Sequence, residues 1–225
     1  MTDIEFRSDF DVEFVDHLGT DLRVVQAARV STEGADSLDT TESQGLINFL
    51  MRNRHGSPFE HCAITWMISA PIFVWREFMR HRIASYNEES GRYKQLKPVF
   101  YIPDVTRPAT QTGKIGEYKF QQNAELMETP RTAARYIARS AYEEYEQNLR
   151  IGVAKEVARQ LLPLNIYSTA YVTMNLRGLM NFLSLRTHET AQWEIRRVAT
   201  QMQGTFAAYF PQVYNAWQDN GKVAP

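Results

Sequence analysis

Residues 59–93 read FEHCAITWMISAPIFVWREFMRHRIASYNEESGRY, and three kinds of local structure follow one another in this stretch. Residues 59–69 are rich in β-branched and aromatic side chains, which predicts a strand. Pro71 suits the first turn of a helix, and the apolar residues after it predict a helix to about Arg82. Residues 83–93 are polar and contain a glycine, which predicts an ordered loop. A strand followed directly by a helix favours a mixed α+β fold.

The flanking segments extend this α+β pattern in both directions. Residues 11–30 suggest extended segments and a short helix, and 31–39 a loop. Thr40, Thr41 and Ser43 are candidate N-caps for a helix to about Arg54, which residues 55–58 (HGSP) would end. Prolines and glycines, among them Gly113 and Gly116, make residues 98–118 the best candidate for a mobile loop.

The C-terminal half is predicted to be mainly helical. Helices are expected at about 131–150, 153–162, 176–185 and 190–210, with a β-prone stretch at 166–173. The chain shows no internal repeat, so we expect a single domain over residues 1–225 with a mixed strand and helix core.

Composition limits the class of protein. Hydrophobic residues make up 44% of 225, enough for a core, and 25 basic residues nearly balance 26 acidic ones. This balance argues against general nucleic-acid binding. The single cysteine, Cys62, excludes an intrachain disulfide and a multi-cysteine metal site, and it favours a reducing cytoplasm. The first residues do not resemble a signal peptide, and no apolar run would span a bilayer.

The densest cluster of functional groups is residues 80–93. Arg76 and Arg80 would share a face of the predicted helix, an unfavourable spacing for like charges unless an anion lies nearby. Ser85, Ser90, the Gly91 amide and Arg92 then supply groups that bind phosphate. The alternative is a helix C-terminus carrying cations that the helix dipole favours. The whole string favours ligand binding.

Other polar residues have ordinary structural explanations. Arg177, Asn181, Ser184 and His188 would form one polar stripe on a helix, with Leu176, Leu179, Met180, Leu183 and Leu185 opposite. On periodicity alone this is an amphipathic helix with its polar face in water. Arg159 precedes Pro163 and suits a helix C-terminus. His55 and His61 match no zinc signature, and we expect no metal site.

Cys62 lies early in the predicted apolar strand, so we expect a buried structural thiol and not a nucleophile. The sequence contains no G-x-S-x-G, P-loop or G-x-G-x-x-G motif, so hydrolase, NTPase and dinucleotide-fold interpretations have no motif to support them.

Residues 80–93 resemble the signature R-H-R-x-x-S-x-N-x-x-S-x-R-Y of flavin-dependent thymidylate synthases at every fixed position. The resemblance continues in order along most of the chain, through residues 55–61, 70–74, 156–159, 162–165, 175–182 and 191–194.

The resemblance implies an α+β subunit in a homotetramer with FAD where subunits meet. The enzyme would convert dUMP to dTMP in nucleotide biosynthesis, with methylenetetrahydrofolate as carbon donor, NADPH as reductant and no cysteine nucleophile. The flavin would be held by Ser57, Arg80, His81, Arg82, Ile83, Glu88, Asn175 and Asn181. The positions that match dUMP contacts are Glu77, Glu88, Ser90, Gly91, Arg92, Arg159 and Arg186. Catalysis would depend on Arg186, Ser90 and Arg92.

Glu77 stands where relatives often carry glutamine, and this difference predicts a like-charge effect on the dUMP phosphate. Two other hypotheses stay open. One is a flavin oxidoreductase that acts on another substrate. In that case dUMP would not change the behaviour of the flavin. The other is a nucleotide- or RNA-binding module using residues 80–92, which would show steep salt dependence.

Overall fold

A computed structural model of the chain describes residues 2–41, 43–115 and 117–225. In chain order its elements are β1 (Glu5–Arg7), β2 (Asp11–Leu18), α1 (Asp21–Glu33), α2 (Gln44–Arg52), β3 (Ala63–Pro71), α3 (Ile72–Phe78), β4 (Ser85–Glu88), β5 (Val99–Tyr101), β6 (Thr110–Thr112), β7 (Lys119–Gln121), α4 (Ala124–Arg150), α5 (Lys155–Ala158), β8 (Tyr167–Asn175), α6 (Leu176–Arg186), α7 (Trp193–Tyr209) and α8 (Pro211–Asp219). Short 3-10 helices cover Gly34–Asp39, Ser57–His61 and Arg159–Leu161. The predicted α+β class is confirmed.

Contacts divide the chain into two compact units, each assembled from segments distant in sequence. The first unit comprises Met1–Phe10, Ser69–Glu77 and Glu88–Thr169, and the second comprises Asp11–Ile68, Phe78–Asn87 and Ala170–Pro225. A single domain over residues 1–225 stays a prediction.

The second unit is built on a sheet whose strand order is β2–β3–β8–β4. Alternate residues of β3 are fully buried, namely Ile64, Trp66 and Ile68, and Val172 and Met174 of β8 are buried in the same way. This period of two is the pattern of a sheet with one face in a core. Helix α6 packs on α7, which also contacts β2.

Helix α8 of the second unit receives its N-terminal cap from far away in the sequence. Asp21, at the start of α1 and only 4% exposed, accepts hydrogen bonds from the main-chain N–H groups of Gln212 and Val213, both at 3.0 Å. A carboxylate at this place satisfies unpaired N–H groups and complements the helix dipole.

The first unit packs α4 against a small parallel pair of strands. β1 pairs with β5 in the register Glu5↔Val99 to Arg7↔Tyr101. Tyr142 and Tyr145 of α4 are buried, and their hydroxyls bind the main-chain oxygen and nitrogen of Leu96 at 2.9 and 3.1 Å. β6 and β7 form an antiparallel hairpin before α4.

Two predictions around the 80–93 cluster were wrong in their boundaries. Helix α3 ends at Phe78 and not at Arg82, so Arg80 does not share a helical face with Arg76. The hydroxyl of Tyr86 contacts the carbonyls of Phe78 and His81, which holds the chain in a turn after the helix. Residues 85–88, predicted as loop, form β4 at the edge of the sheet.

Several other boundaries also differ from the predictions. Residues 98–118, predicted as a loop, contain the strands β5 and β6, because β5 pairs with β1 and β6 pairs with β7. Gly116 of this segment lies outside the described residues. Residues 31–39 continue α1 and then form a 3-10 turn. The predicted helix at 131–150 begins at Ala124, where Asn123 caps it. The predicted helix at 153–162 is divided into α5 and the 3-10 helix Arg159–Leu161. The predicted helix at 190–210 is confirmed as α7, and Pro211 begins a separate helix, α8, after it.

The predicted helix before Arg54 is confirmed as α2, and Ser43 is its N-cap, accepting from the N–H of Leu46 at 3.3 Å. Among the helices described, none is both long and apolar enough to cross a membrane.

Candidate functional site

The site residues predicted from the sequence fall into two groups, one in each unit. The second unit holds Ser57, Arg80, His81, Arg82, Ile83, Asn175, Asn181 and Arg186. The first unit holds Glu77, Glu88, Ser90, Gly91, Arg92 and Arg159. Arg186, expected at dUMP, lies in the second unit with the expected flavin contacts, and Glu88, expected at both ligands, lies in the first unit with the expected nucleotide contacts.

The second-unit group contains a direct contact between two predicted site residues, 105 positions apart. Arg186, the last residue of α6, donates its Nε–H to Nε2 of His81 at 2.9 Å. Burial, and then the nearby Arg186 charge, lower the pKa of His81 from 6.5 to about 4. His81 is therefore neutral at physiological pH.

The main chain of Ile83 lies against the first turn of α6. Asn175 caps this helix by accepting from the N–H of Gly178 at 2.8 Å. A Cβ at Gly178 would stand 2.7 Å from the carbonyl oxygen of Ile83 and 3.2 Å from the cap's Oδ1. Only glycine leaves room for this approach, so Asn175, Gly178 and Ile83 are brought together.

The remaining members of this group are exposed. The side chains of Ser57, Arg80, Arg82 and Asn181 face solvent, and Ile83 is 68% exposed although it is apolar. Exposed guanidinium groups beside an exposed apolar side chain suit a ligand that is part anion and part aromatic ring.

The predicted polar stripe on α6 is only partly present. Arg177 is engaged, with Nε donating to the main-chain oxygen of Pro225 at 2.9 Å and a terminal nitrogen 2.6 Å from Glu60. Ser184 donates to the carbonyl of Met180 at 2.7 Å. His188 lies beyond the end of α6, and Leu185, predicted to be on the apolar side, is 54% exposed.

In the first unit, residues 90–93 form a tight turn. The N–H of Tyr93 donates to the carbonyl of Ser90 at 3.1 Å, and the N–H of Arg92 lies 3.3 Å from the Ser90 hydroxyl. Gly91 is buried, and a Cβ there would stand 3.1 Å from Leu96 and 3.2 Å from Cδ of Arg159. The turn therefore brings Ser90, Gly91, Arg92 and Arg159 together.

Two carboxylate contacts hold the edges of this turn. Arg92 Nε is 2.8 Å from Glu156, and both side chains are about half exposed, at 54% and 53%. Glu88 accepts from the hydroxyl of Ser168 at 2.5 Å, and Ser168 is only 3% exposed. Sequence reasoning assigned no role to Glu156 or Ser168. For Glu156 the sequence did offer a signal, because it precedes the candidate residue Arg159 by three positions.

The other titratable residues considered from the sequence differ in their burial. Glu77 is half-buried in the last turn of α3, and its effect on a phosphate stays a prediction. Cys62 is fully buried, as predicted, and burial raises the pKa of its thiol to about 11. His55 and His61 are exposed, and the described residues contain no group of three or more potential metal ligands.

Comparisons with known proteins cover nearly the whole chain. A family model described as "Thymidylate synthase complementing protein" matches residues 13–212. The "Flavin-dependent thymidylate synthase" of Streptomyces coelicolor is 50% identical over 99% of this chain and 96% of its own. The protein of the same name from Tropheryma whipplei is 50% identical over 100% of this chain and 99% of its own.

A solved structure gives the same relationship in three dimensions. The UMP/dUMP methylase PolB from Streptomyces cacaoi, bound with 5-Br dUMP, superposes with a TM-score of 0.91 at 46% identity, covering 99% of this chain and 100% of that one. A second structure of PolB, bound with 5-Br UMP, also has a TM-score of 0.91, at 44% identity.

Proposed function

The chain belongs to the flavin-dependent thymidylate synthase family, and we infer from this membership that it methylates dUMP to dTMP with a bound flavin. We propose further that the flavin is FAD, that NADPH reduces it and that methylenetetrahydrofolate donates the carbon. The observation in the molecule that best supports the substrate is the turn at residues 90–93, where Arg92 and Arg159 lie beside a buried glycine amide.

The second-unit group fits a flavin cofactor chemically. Arg80 and Arg82 are exposed cations of the kind that bind a pyrophosphate, and Ile83 offers an exposed apolar surface for a ring. Ser57, Asn175 and Asn181 add short polar side chains, and His81 adds a neutral imidazole. When bound, the flavin supplies the hydride chemistry that protein side chains lack.

The first-unit group fits a nucleoside monophosphate. We propose that Ser90, Gly91, Arg92 and Arg159 hold the phosphate, since hydroxyls, glycine amides and arginine forks are its usual partners. Glu156 lies on the Arg92 guanidinium and orients it. Glu88, fixed by Ser168, would accept a hydrogen bond from the sugar or the flavin. Glu77 matches a dUMP contact by resemblance only, and a carboxylate beside the phosphate would weaken phosphate binding.

Arg186 is proposed to stabilise negative charge on the activated uracil, the kind of electrostatic assistance that contributes most in such reactions. Ser90 and Arg92 would complete the catalytic set by positioning the nucleotide. Cys62 cannot serve as the nucleophile at neutral pH, because its thiol is buried and its pKa is raised to about 11.

Assembly and location are part of the same proposal. Isologous packing into a homotetramer with FAD at subunit interfaces would cover apolar side chains such as Ile83, which is exposed in the single chain. A single buried cysteine suits a cytoplasmic enzyme.

The first test is an anaerobic visible spectrum of the purified protein with FAD, then NADPH, with and without dUMP. We expect NADPH to bleach the flavin band and dUMP to alter it, and dTMP to form once methylenetetrahydrofolate is added. Arg92→Ala and Ser90→Ala should lose turnover while remaining folded. Arg150→Ala, an exposed arginine at the end of α4, is the matched control and should keep it. Absence of flavin binding, or full activity in both site variants, would contradict the assignment.

UMP is a second candidate substrate, because the structural relative PolB is described as a UMP/dUMP methylase and binds 5-Br UMP. The same assay with UMP in place of dUMP decides this. Formation of 5-methyluridine monophosphate at a comparable rate would extend the substrate class to both nucleotides, and no product would restrict it to dUMP.

A further inference from the structure

The contact between Arg186 and His81 determines where the imidazole carries its proton. A guanidinium is always charged, has only N–H donors and offers no acceptor. Its Nε–H points at His81 Nε2 across 2.9 Å, so that nitrogen must present a lone pair. A neutral ring with a lone pair on Nε2 carries its proton on Nδ1. A doubly protonated ring would place two N–H groups against each other.

The ring is also held in place by its surroundings. Phe182 of α6 lies edge-on to it, with ring centres 4.9 Å apart and an interplanar angle of 78°. On the main-chain side, the Tyr86 hydroxyl of β4 donates to the His81 carbonyl at 2.8 Å, and the Tyr86 ring packs against Phe78 at the end of α3. Among the described residues of the second unit, the titratable or charged groups that bond to His81 are Arg186, at the ring, and Tyr86, at the main-chain carbonyl.

Neither Tyr86 nor Arg186 opposes a neutral His81 ring with its proton on Nδ1. The Tyr86 hydroxyl stays protonated, because burial raises its pKa to about 12. Burial and the Arg186 charge both disfavour the imidazolium. Both observations agree with the geometry, which by itself assigns the proton.

We propose that Arg186 is a positioning residue that locks His81 in the neutral Nδ1–H tautomer, so that His81 offers Nδ1–H as a donor to a hydrogen-bond acceptor of the bound flavin. The second half of this statement rests on the proposed function, whereas the tautomer itself does not. Arg186 would thus act both on the substrate and, through His81, on the cofactor.

The tautomer can be measured directly on the purified full-length protein without its cofactor. Nitrogen-15 and carbon-13 shifts of labelled histidine distinguish Nδ1–H, Nε2–H and imidazolium, and His81→Gln identifies the resonance. We expect a neutral Nδ1–H ring at pH 7. In Arg186→Met the ring should lose this signature. Arg177→Met is the matched control, since Arg177 is on the same helix but pairs with Glu60. It should leave the His81 signal unchanged.

Replacement of His81 by two amides tests which nitrogen faces the flavin. The amide nitrogen of asparagine approximates Nδ1 of histidine, and that of glutamine approximates Nε2. We expect His81→Asn to bind FAD about 3- to 10-fold more tightly than His81→Gln, the effect of one neutral hydrogen bond.

The outcomes separate the two claims. An Nε2–H ring or an imidazolium in the unmodified protein at pH 7 overturns the proposal, and so does an Arg186→Met signal that matches the original. Tighter FAD binding by His81→Gln than by His81→Asn refutes the donor role. A protein that shows the Nδ1–H ring but binds no FAD would contradict the proposed function and still support the tautomer.

Discussion

Replacing Gly178 by alanine should destabilise the protein, although alanine is normally the better helix residue. Glycine in an exposed helix interior costs up to about 1 kcal/mol relative to alanine. At Gly178, however, the added Cβ would lie 2.7 Å from the Ile83 carbonyl oxygen. This is about 0.6 Å closer than the roughly 3.3 Å of an ordinary carbon–oxygen contact.

The contact is with main chain, so it cannot be relieved by a rotamer change. Overpacking of this kind costs about 1–3 kcal/mol. After the gain in helix propensity is subtracted, Gly178→Ala should lower the free energy of unfolding by up to about 2 kcal/mol. Movement of Ile83 should also displace the neighbouring Arg82, so we expect weaker flavin retention.

Gly204→Ala is the matched control, because Gly204 is in α7 and a Cβ there would meet nothing within 4 Å. It should gain about 1 kcal/mol, or about 2–4 °C in melting temperature for a chain of this size. The assay is thermal and urea denaturation of both variants, with bound flavin measured by absorbance. If Gly178→Ala is as stable as Gly204→Ala and keeps its flavin, the close approach of Ile83 to α6 does not constrain the fold and the reasoning fails.

Three further predictions concern the second unit. Asp21→Ala should lower the free energy of unfolding by about 2 kcal/mol, because two N–H groups of α8 lose a buried carboxylate; an unchanged urea midpoint would show that water replaces the cap. Cys62→Ala should retain dTMP formation, and the folded wild-type thiol, with its pKa near 11, should resist iodoacetamide at pH 8 until it is unfolded; loss of turnover in a folded variant would point to covalent catalysis. The third is a pH effect. The folded pKa of His81 is about 4 against 6.5, so the unfolded chain takes up the proton first on acidification. The contribution of His81 to the free energy of unfolding is fully present above pH 6.5 and is lost as the pH falls from 6.5 to 4. The loss is about 1–2 kcal/mol, because solvent screens this half-buried ring. His81→Gln should lack this part of the pH dependence; parallel stability curves for the two proteins would refute it.

Features determined by neighbours in sequence were predictable, and features determined by distant partners were not. The Ser43 cap of α2 depends on residues within one turn. The end of α3 at Phe78 depends on Tyr86, eight residues later, and periodicity therefore extended the helix too far. The pairing of β1 with β5 joins residues 94 apart, which short strands do not signal.

The candidate site shows the same limit. The signature at residues 80–93 could be read as a candidate ligand-binding segment because its functional groups are contiguous. Partners such as Glu156 for Arg92 are 64 positions away and become visible only in the folded chain. Arg186 was assigned to dUMP by resemblance, and its bond to His81 was not foreseen.

The interleaving of the two units bears on how variants of this enzyme can arise. The chain passes from one unit to the other after residues 10, 68, 77, 87 and 169, and the crossings after 68, 87 and 169 fall inside β3, β4 and β8. A recombination event that exchanged the nucleotide-binding group as one contiguous piece would have to cut through strands. Such chimaeras should rarely fold, and substrate preference should therefore diversify through point substitutions more readily than through exchange of modules.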